Sequence, residues 1–380
     1  MTRSYSLWFI IYLSQQPNIG WHTLKIIIEH QLYETENWDT ILLSKYISQK
    51  QRIDALMRAK QQFSRAIIDF MVADEARYHY RSILWNESDY PAILRECVQP
   101  PWVIFVKGRL DLLHTPKIAI VGTRAPSPYG ITMTKQFATQ LSQMGCTIVS
   151  GLAGGIDTLA HQHSLLEVGS TIAVLPCGIK NCYPNSNYKL YEQLEKNGLL
   201  ISETVNVKTV HKGMFSQRNR IIAGLCYATI IVEGERKSGS MITARYTLDM
   251  DRELFSIPGS LQSIKSEGPN FLIYKGYARM LMSPNQLFED IPWLLPTVKQ
   301  YLKENVIVEQ KNERKTEYSK KVILSNEENI VLQHIQNHPL TIDDLIIVTG
   351  YSYEKLNVIL LQLCLYNFIQ LHHGSLYIAL

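Results

Sequence analysis

The sequence has no uninterrupted apolar run of the ~20 residues that a bilayer-crossing helix needs, so no membrane partner is expected. The N-terminal patch Leu7–Leu13 follows one arginine but precedes no small-residue cleavage site, and it reads as a core helix rather than a signal peptide. Cysteine is scarce, six in 380 residues, at Cys97, Cys146, Cys177, Cys182, Cys226 and Cys364. No CxxC pair or His pair accompanies them, which argues against a zinc site and for reduced core thiols in a cytoplasmic protein. There is no P-loop lysine, no GxGxxG followed by an acidic ribose ligand, and no Ser-His-Asp order on the strand-end loops described below. Basic residues are nearly missing from the C-terminal stretch: residues 324–380 hold one Lys and no Arg against five acidic residues.

Charge elsewhere is distributed unevenly. Lys plus Arg against Asp plus Glu is 13 to 12 over residues 1–116, 17 to 13 over 117–290 and 7 to 4 over 291–323. An anionic partner therefore belongs with the middle of the chain. Sixteen of the twenty glycines also lie there, between Gly122 and Gly276. In this region short apolar runs alternate with helical patterns: KIAIVG, CTIVSG, STIAVLP, GLLISE, ATIIVEG and ELFSIPG. Continuous apolar strands alternating with helices predict an α/β fold, a Rossmann-like, mainly parallel sheet with helices on both faces.

The flanks read differently. Residues 1–85 have a helical pattern, and PNIGWHTLKIII (17–28) is similar to half of a helix-hairpin-helix, though a plain helical turn explains it as well. Residues 88–108 read as an extended connector, which places the sheet domain at 86–290. Residues 291–323 lack periodicity and read as a linker. Residues 324–380 give helix, helix, turn, helix and two strands joined at Gly374, a winged helix. Its third helix lacks the basic side chains that a DNA-reading helix needs, so it is expected to contact protein.

In an open parallel sheet ligands sit at the carboxyl ends of the strands. The first such loop, GTRAPSPYG, projects Arg124. The second, SGLAGGIDTLAH, offers Gly151 and Gly155 for close backbone approach by an anion, with Asp157 as a helix cap. The third carries Lys189. FSQRNRIIAG supplies Arg218, Asn219 and Arg220, and EGERKSGSMITA supplies Lys237, Ser238, Gly239, Ser240 and Thr243. The two arginines have two possible kinds of partner, a phosphate or the strand-end carboxylates Glu203 and Glu233. Donors for phosphate without an evident base, nucleophile or metal cluster favour binding over catalysis.

Taken in order, VGTRAPSPYG, SGLAGGIDTLAH, TIAVLPCGI…YP, LLISE, FSQRNRIIAGL, VEG…SGSMITA and DRELFSIPGS…GPNFLI resemble the DNA processing protein A (DprA, or Smf) family over about residues 88–290. The resemblance implies a protein that is not an enzyme and uses no cofactor. It implies single-stranded DNA binding, a homodimer, and loading of the RecA recombinase during natural transformation. It places DNA contacts on Arg124, Lys189, the 218–220 block and the 238–240 loop. On this basis Arg220 is expected to face phosphate or order the pocket. Asn219 would hold the loop, and Arg218 would pair with a carboxylate. The family usually has a basic residue where this sequence has Gly154, a loss that Lys237 could offset. It usually has a glycine before the first wing strand, where Asn367 stands here. The alternative is a phosphoribohydrolase on a related fold, but EGERKSGSMITA lacks that family's PGGxGTxxE-like loop.

Overall fold

The computed structural model describes residues 3–302, 324–365, 368–372 and 376–379, in two compact units, 1–292 and 293–380. Most of the expected linker, and Asn367 and Gly374, lie outside the described residues.

The first unit opens with helices α1 (Tyr5–Ser14), α2 (Trp21–Glu29), α3 (Thr40–Ser44), α4 (Lys50–Gln62) and α5 (Arg65–Tyr78). The α1 sequence, YSLWFIIYLS, is apolar all round, as a helix buried on two sides must be. Phe9 and Leu13 pack with Ile27, Leu43 and Leu56 of the other helices. Ile10 and Ile11 pack instead with Phe105 and Leu200 of the sheet. One helix thus belongs to two cores. In α2, Trp21 stacks on Trp102 at 5.5 Å and its indole N–H donates to the Pro100 carbonyl at 2.7 Å, so the turn at Pro17–Gly20 leads into ordinary packing.

The sheet has nine strands: β1 (Arg81–Leu84), β2 (Val103–Gly108), β3 (Lys117–Val121), β4 (Thr147–Ser150), β5 (Thr171–Val174), β6 (Leu199–Ser202), β7 (Ala228–Ile231), β8 (Glu253–Ser256) and β9 (Arg279–Met280), in the order β1-β2-β6-β5-β4-β3-β7-β8-β9. All six runs named from the sequence are strands, β3 to β8, and all neighbours among them are parallel. The segment expected as a connector is different. Val103–Gly108 is an antiparallel strand between β1 and β6, because its apolar run VIFV is buried on both faces. Helices α6 (Ala92–Arg95), α7 (Pro128–Gln143), α8 (Ile156–Ser164), α9 (Tyr188–Asn197), α10 (Lys212–Leu225), α11 (Gly239–Asp249), α12 (Glu267–Tyr274) and α13 (Gln286–Asp290) complete the unit.

The chain runs outward from β3 through β4, β5 and β6, then returns to the other side of β3 as β7. The strand order therefore reverses between β3 and β7, and this switch point is where a doubly wound sheet opens a crevice.

The second unit contains α14 (Asn326–Asn337), β10 (Leu340–Thr341), α15 (Ile342–Thr349), α16 (Tyr353–Leu365), β11 (Ile369–His372) and β12 (Leu376–Ala379). Its sheet order is β10-β12-β11, the arrangement of a winged helix. Capping boxes at Ser325/Glu328 and Thr341/Asp344 start the first two helices, and Gly350 ends α15 in a left-handed conformation.

Candidate nucleic-acid interface

The strand-end loops form an inner layer and an outer rim. The inner layer centres on Arg218, which is buried on α10. Its Nη1 donates to the carbonyls of Gly151 and of Val174, the latter at 2.5 Å, and its Nε donates to Asn219 Oδ1 at 3.0 Å. A Cβ on Gly151 would collide with the guanidinium, so this glycine makes room for Arg218 rather than for an approaching anion. Burial pulls the Arg218 pKa down to about 10, and neighbouring Asp157 works against that shift.

Asp157 does not cap α8 as expected; the N-cap is Gly155, and Asp157 lies inside the first turn. Its carboxylate accepts the Gly151 N–H at 3.1 Å, and the Ala153 N–H also favours its ionised form. The backbone donors of the glycine loop are thus turned toward the protein's own carboxylate. Burial still raises the Asp157 pKa, with Arg218 opposing. Behind the loop, His161 Nε2 accepts the Leu152 N–H at 3.2 Å, and Nδ1 lies 2.8 Å from Thr171 Oγ1. An accepting Nε2 puts the proton on Nδ1, so His161 is neutral. Burial, reinforced by Arg218, lowers its pKa to about 3.

The loop after β3 is held from the other side of the switch point. Glu233, 1% exposed, accepts the Ser127 N–H at 2.9 Å and the Ser127 hydroxyl at 2.5 Å. Gly155, at φ +77°, backs onto the Thr123 and Arg124 carbonyls, where no side chain would fit.

Other expected site residues are placed as follows. Arg220 is buried and paired with Glu203 at 2.5 Å, so the roles expected for the two arginines are corrected: Arg220 takes the carboxylate and Arg218 takes carbonyls. The reason is helical spacing, since Arg220 and Gly224 lie on the α10 face turned toward Cys97, away from Gly151. Asn219 Nδ2 donates to the Gly239 carbonyl at 3.2 Å and so ties α10 to the start of α11. Ser238 is the N-cap residue of α11 and its hydroxyl lies 2.7 Å from that of Ser240. Ser240 and Thr243 are buried, and Thr243, at 1% exposure, has no surface to offer a ligand.

The outer rim holds Arg124 and Lys237 on the loops after β3 and β7, and Lys189 in the first turn of α9, which follows β5, all exposed. None ion-pairs with a carboxylate among the described residues. Arg124 lies over the half-buried Phe215 ring at 5.0 Å, and Phe215 meets exposed Tyr183 edge-on at 5.6 Å. Asn187, just before Lys189, binds the Leu152 carbonyl at 2.9 Å and Thr158 Oγ1 at 2.8 Å, which joins this loop to the glycine loop. The sequence reading missed both aromatic rings. The available signal was an aromatic residue one helical turn before the RNR block.

Comparisons with known proteins identify the family. Residues 81–292 match the family described as DNA recombination-mediator protein A, and residues 316–375 match the DprA winged helix domain. Protein Smf of Synechocystis is 33% identical over 316 residues, covering 77% of this chain and 78% of that protein. The X-ray structure of DNA processing protein A from Streptococcus pneumoniae superposes with TM-score 0.65 at 31% identity, covering 76% of this chain and 98% of that one. DNA processing protein A from Helicobacter pylori, whose structure is described for its single-stranded DNA binding mode, gives TM-score 0.51 at 34% identity, covering 56% of this chain and 95% of that one. With the sheet, the strand-end blocks and the winged helix all in place, this chain belongs to the DprA/Smf family of DNA recombination-mediator proteins.

Proposed function

We propose that this protein binds single-stranded DNA along the outer rim of its strand-end loops, as a homodimer, and delivers the strand to the RecA recombinase. The observation that carries the reading is the set of exposed cations without carboxylate partners, Arg124, Lys189 and Lys237, beside the Phe215 and Tyr183 rings. Cations track the phosphate backbone and aromatic faces accept bases of any sequence. Duplex DNA hides its base faces, so single strands are preferred. Ser238 and Gly239, at the start of α11, extend the same rim.

One pocket neutralises few phosphates, and two linked pockets on one strand raise avidity by ~10²–10⁴. Exposed Tyr274, Tyr277, Met280 and Met282 lie at and around edge strand β9 and offer an apolar face for a twofold partner. The RecA step rests on membership of a recombination-mediator family. The winged helix serves as a protein contact, and the chain carries out no chemistry on its ligand.

The test combines a mobility assay on single- and double-stranded oligonucleotides, light scattering, and RecA filament assembly on strands coated with single-strand-binding protein. The reading expects single-strand preference, twice the monomer mass and faster filament assembly. Equal affinity for both DNA forms would contradict the site, and a strict monomer would contradict the avidity argument. Unchanged filament kinetics would remove the delivery step.

A further inference from the structure

Both loops that a doubly wound fold normally turns toward a ligand's phosphate are here turned toward carboxylates of the chain itself. The N-terminus of the 16-residue helix α7 stands beside the switch point, where backbone N–H groups and the helix dipole favour an anion. Glu233 reaches it from the loop after β7. One carboxylate oxygen accepts the Ser127 N–H and the other accepts the Ser127 hydroxyl. That hydroxyl in turn accepts the Gly130 N–H at 3.2 Å. Gly130 is shaped to this group, since a Cβ there would lie 2.5 Å from the Glu233 carboxyl carbon. Glu233 is fully buried, yet no Lys or Arg among the described residues pairs with it. Its charge is met by the helix terminus and the serine alone. After β4 a carboxylate again meets the loop, with Asp157 of α8 accepting the Gly151 N–H.

We infer that Glu233 is an internal substitute for a ligand phosphate. It fills the anion position at the switch point, excludes nucleoside phosphates from it, and fixes the 123–127 loop so that Arg124 is presented on the outer rim. Glu233 is thus a positioning and specificity residue for the proposed DNA site, and its second role rests on that reading. The exclusion of mononucleotides stands apart from it. Asp157 is the poorer residue to test, because its loss would also leave Arg218 without its neighbouring negative charge.

The test uses the full chain and its Glu233→Ala variant, with sodium phosphate, sodium acetate or AMP as probes against chloride at equal ionic strength. Thermal melting reports anion binding, and fluorescence anisotropy reports single-strand affinity. Wild type should show no saturable melting shift with any probe. Glu233→Ala should melt lower, regain stability in phosphate or acetate, and bind single strands about tenfold more weakly, the loss expected for one charge-assisted contact. Acetate should restore that affinity, which loosened packing alone would not allow. If the variant does not fold in chloride, refolding that depends on acetate supports the inference. Refolding that ignores the anion overturns it. Saturable binding of phosphate or AMP to wild type would overturn it without any variant. So would a folded Glu233→Ala protein with wild-type affinity and no anion response. Absence of single-strand binding by wild type would instead remove the proposed function, while the anion arm would still be read.

Discussion

Two parts of this chain have folds that can hold nucleic acid, and they leave opposite charges free. On the sheet unit, Arg124, Lys189 and Lys237 are exposed without acidic partners. On the winged helix, the one cation of residues 324–380, Lys355, is paired with Glu327 at 2.6 Å. Exposed Ile347, Val348 and Tyr353 lie around its helix-turn-helix corner, and Asp343, Asp344 and Glu354 lie nearby in sequence. A phosphate backbone would be repelled there, whereas a protein surface could cover it. The shared lesson is that unpaired charge, rather than the architecture that carries it, selects the partner. The sheet unit repeats the contrast on a smaller scale. Its inner arginines bond carbonyls and Glu203, with one buried nitrogen of Arg220, Nη1, left without a partner, and its outer cations are left to a ligand.

The sharpest separation of inner layer from rim is a stability measurement. Arg218→Ala leaves two buried carbonyls and Asp157 without their cation, so it should cost about 3–5 kcal/mol in urea unfolding. The paired change Arg124→Ala with Lys189→Ala should leave unfolding unchanged and weaken single-strand binding about 100-fold, from two charge-assisted contacts. If the two variants exchanged phenotypes, the division into layers would fail.

Acid should strike the inner layer. His161 has a folded pKa near 3, well below its unfolded value. Below about pH 6.5 the unfolded chain takes up a proton that the folded chain refuses, so stability falls as pH falls. Between pH 7 and 5 the loss should reach about 2 kcal/mol at 1.4 kcal/mol per unit. Asp157, with its raised pKa, offsets part of this as the pH approaches that raised value. His161→Gln keeps an acceptor for the Leu152 N–H and should flatten the profile. An equally steep variant would assign the acid sensitivity elsewhere.

The smallest effect concerns Gly154. A Cβ there would meet only the Arg124 carbonyl, at 3.9 Å, and Gly154 is not among the glycines with positive φ. Space therefore does not forbid the basic residue that the family resemblance implies for this position. Gly154→Arg should raise single-strand affinity by about three- to tenfold and steepen its salt dependence by about one counterion.

Much of this was legible in the sequence because it depended on local pattern. The six buried strands declared themselves as continuous apolar runs, and the winged helix by its capping residues and Gly350. Arg124 and Lys189 were legible as cations at the carboxyl ends of strands, Lys189 falling in the first turn of α9 rather than on the loop before it. What could not be read depended on direction and on distant partners. A two-residue step along α10 separates Arg218 from Arg220, and only the packed helix shows which one meets Glu203. Gly151 read as space for an anion, but that space holds a guanidinium 67 residues away in sequence. Val103–Gly108 read as a connector because its antiparallel pairing joins segments far apart in the chain. Phe215 drew no reading of its own, since half-exposure of a ring leaves no mark on periodicity.

The central claim is that the rim of the sheet unit holds DNA and the winged helix does not. Dissociation constants for a single-stranded oligonucleotide, measured against salt, test it on the full chain, on residues 1–292 and on residues 293–380. The account predicts that the first two agree within about threefold and share one steep salt slope, while the third shows no binding. A folded 1–292 fragment that has lost affinity, or a 293–380 fragment that binds with its own salt slope, would contradict it.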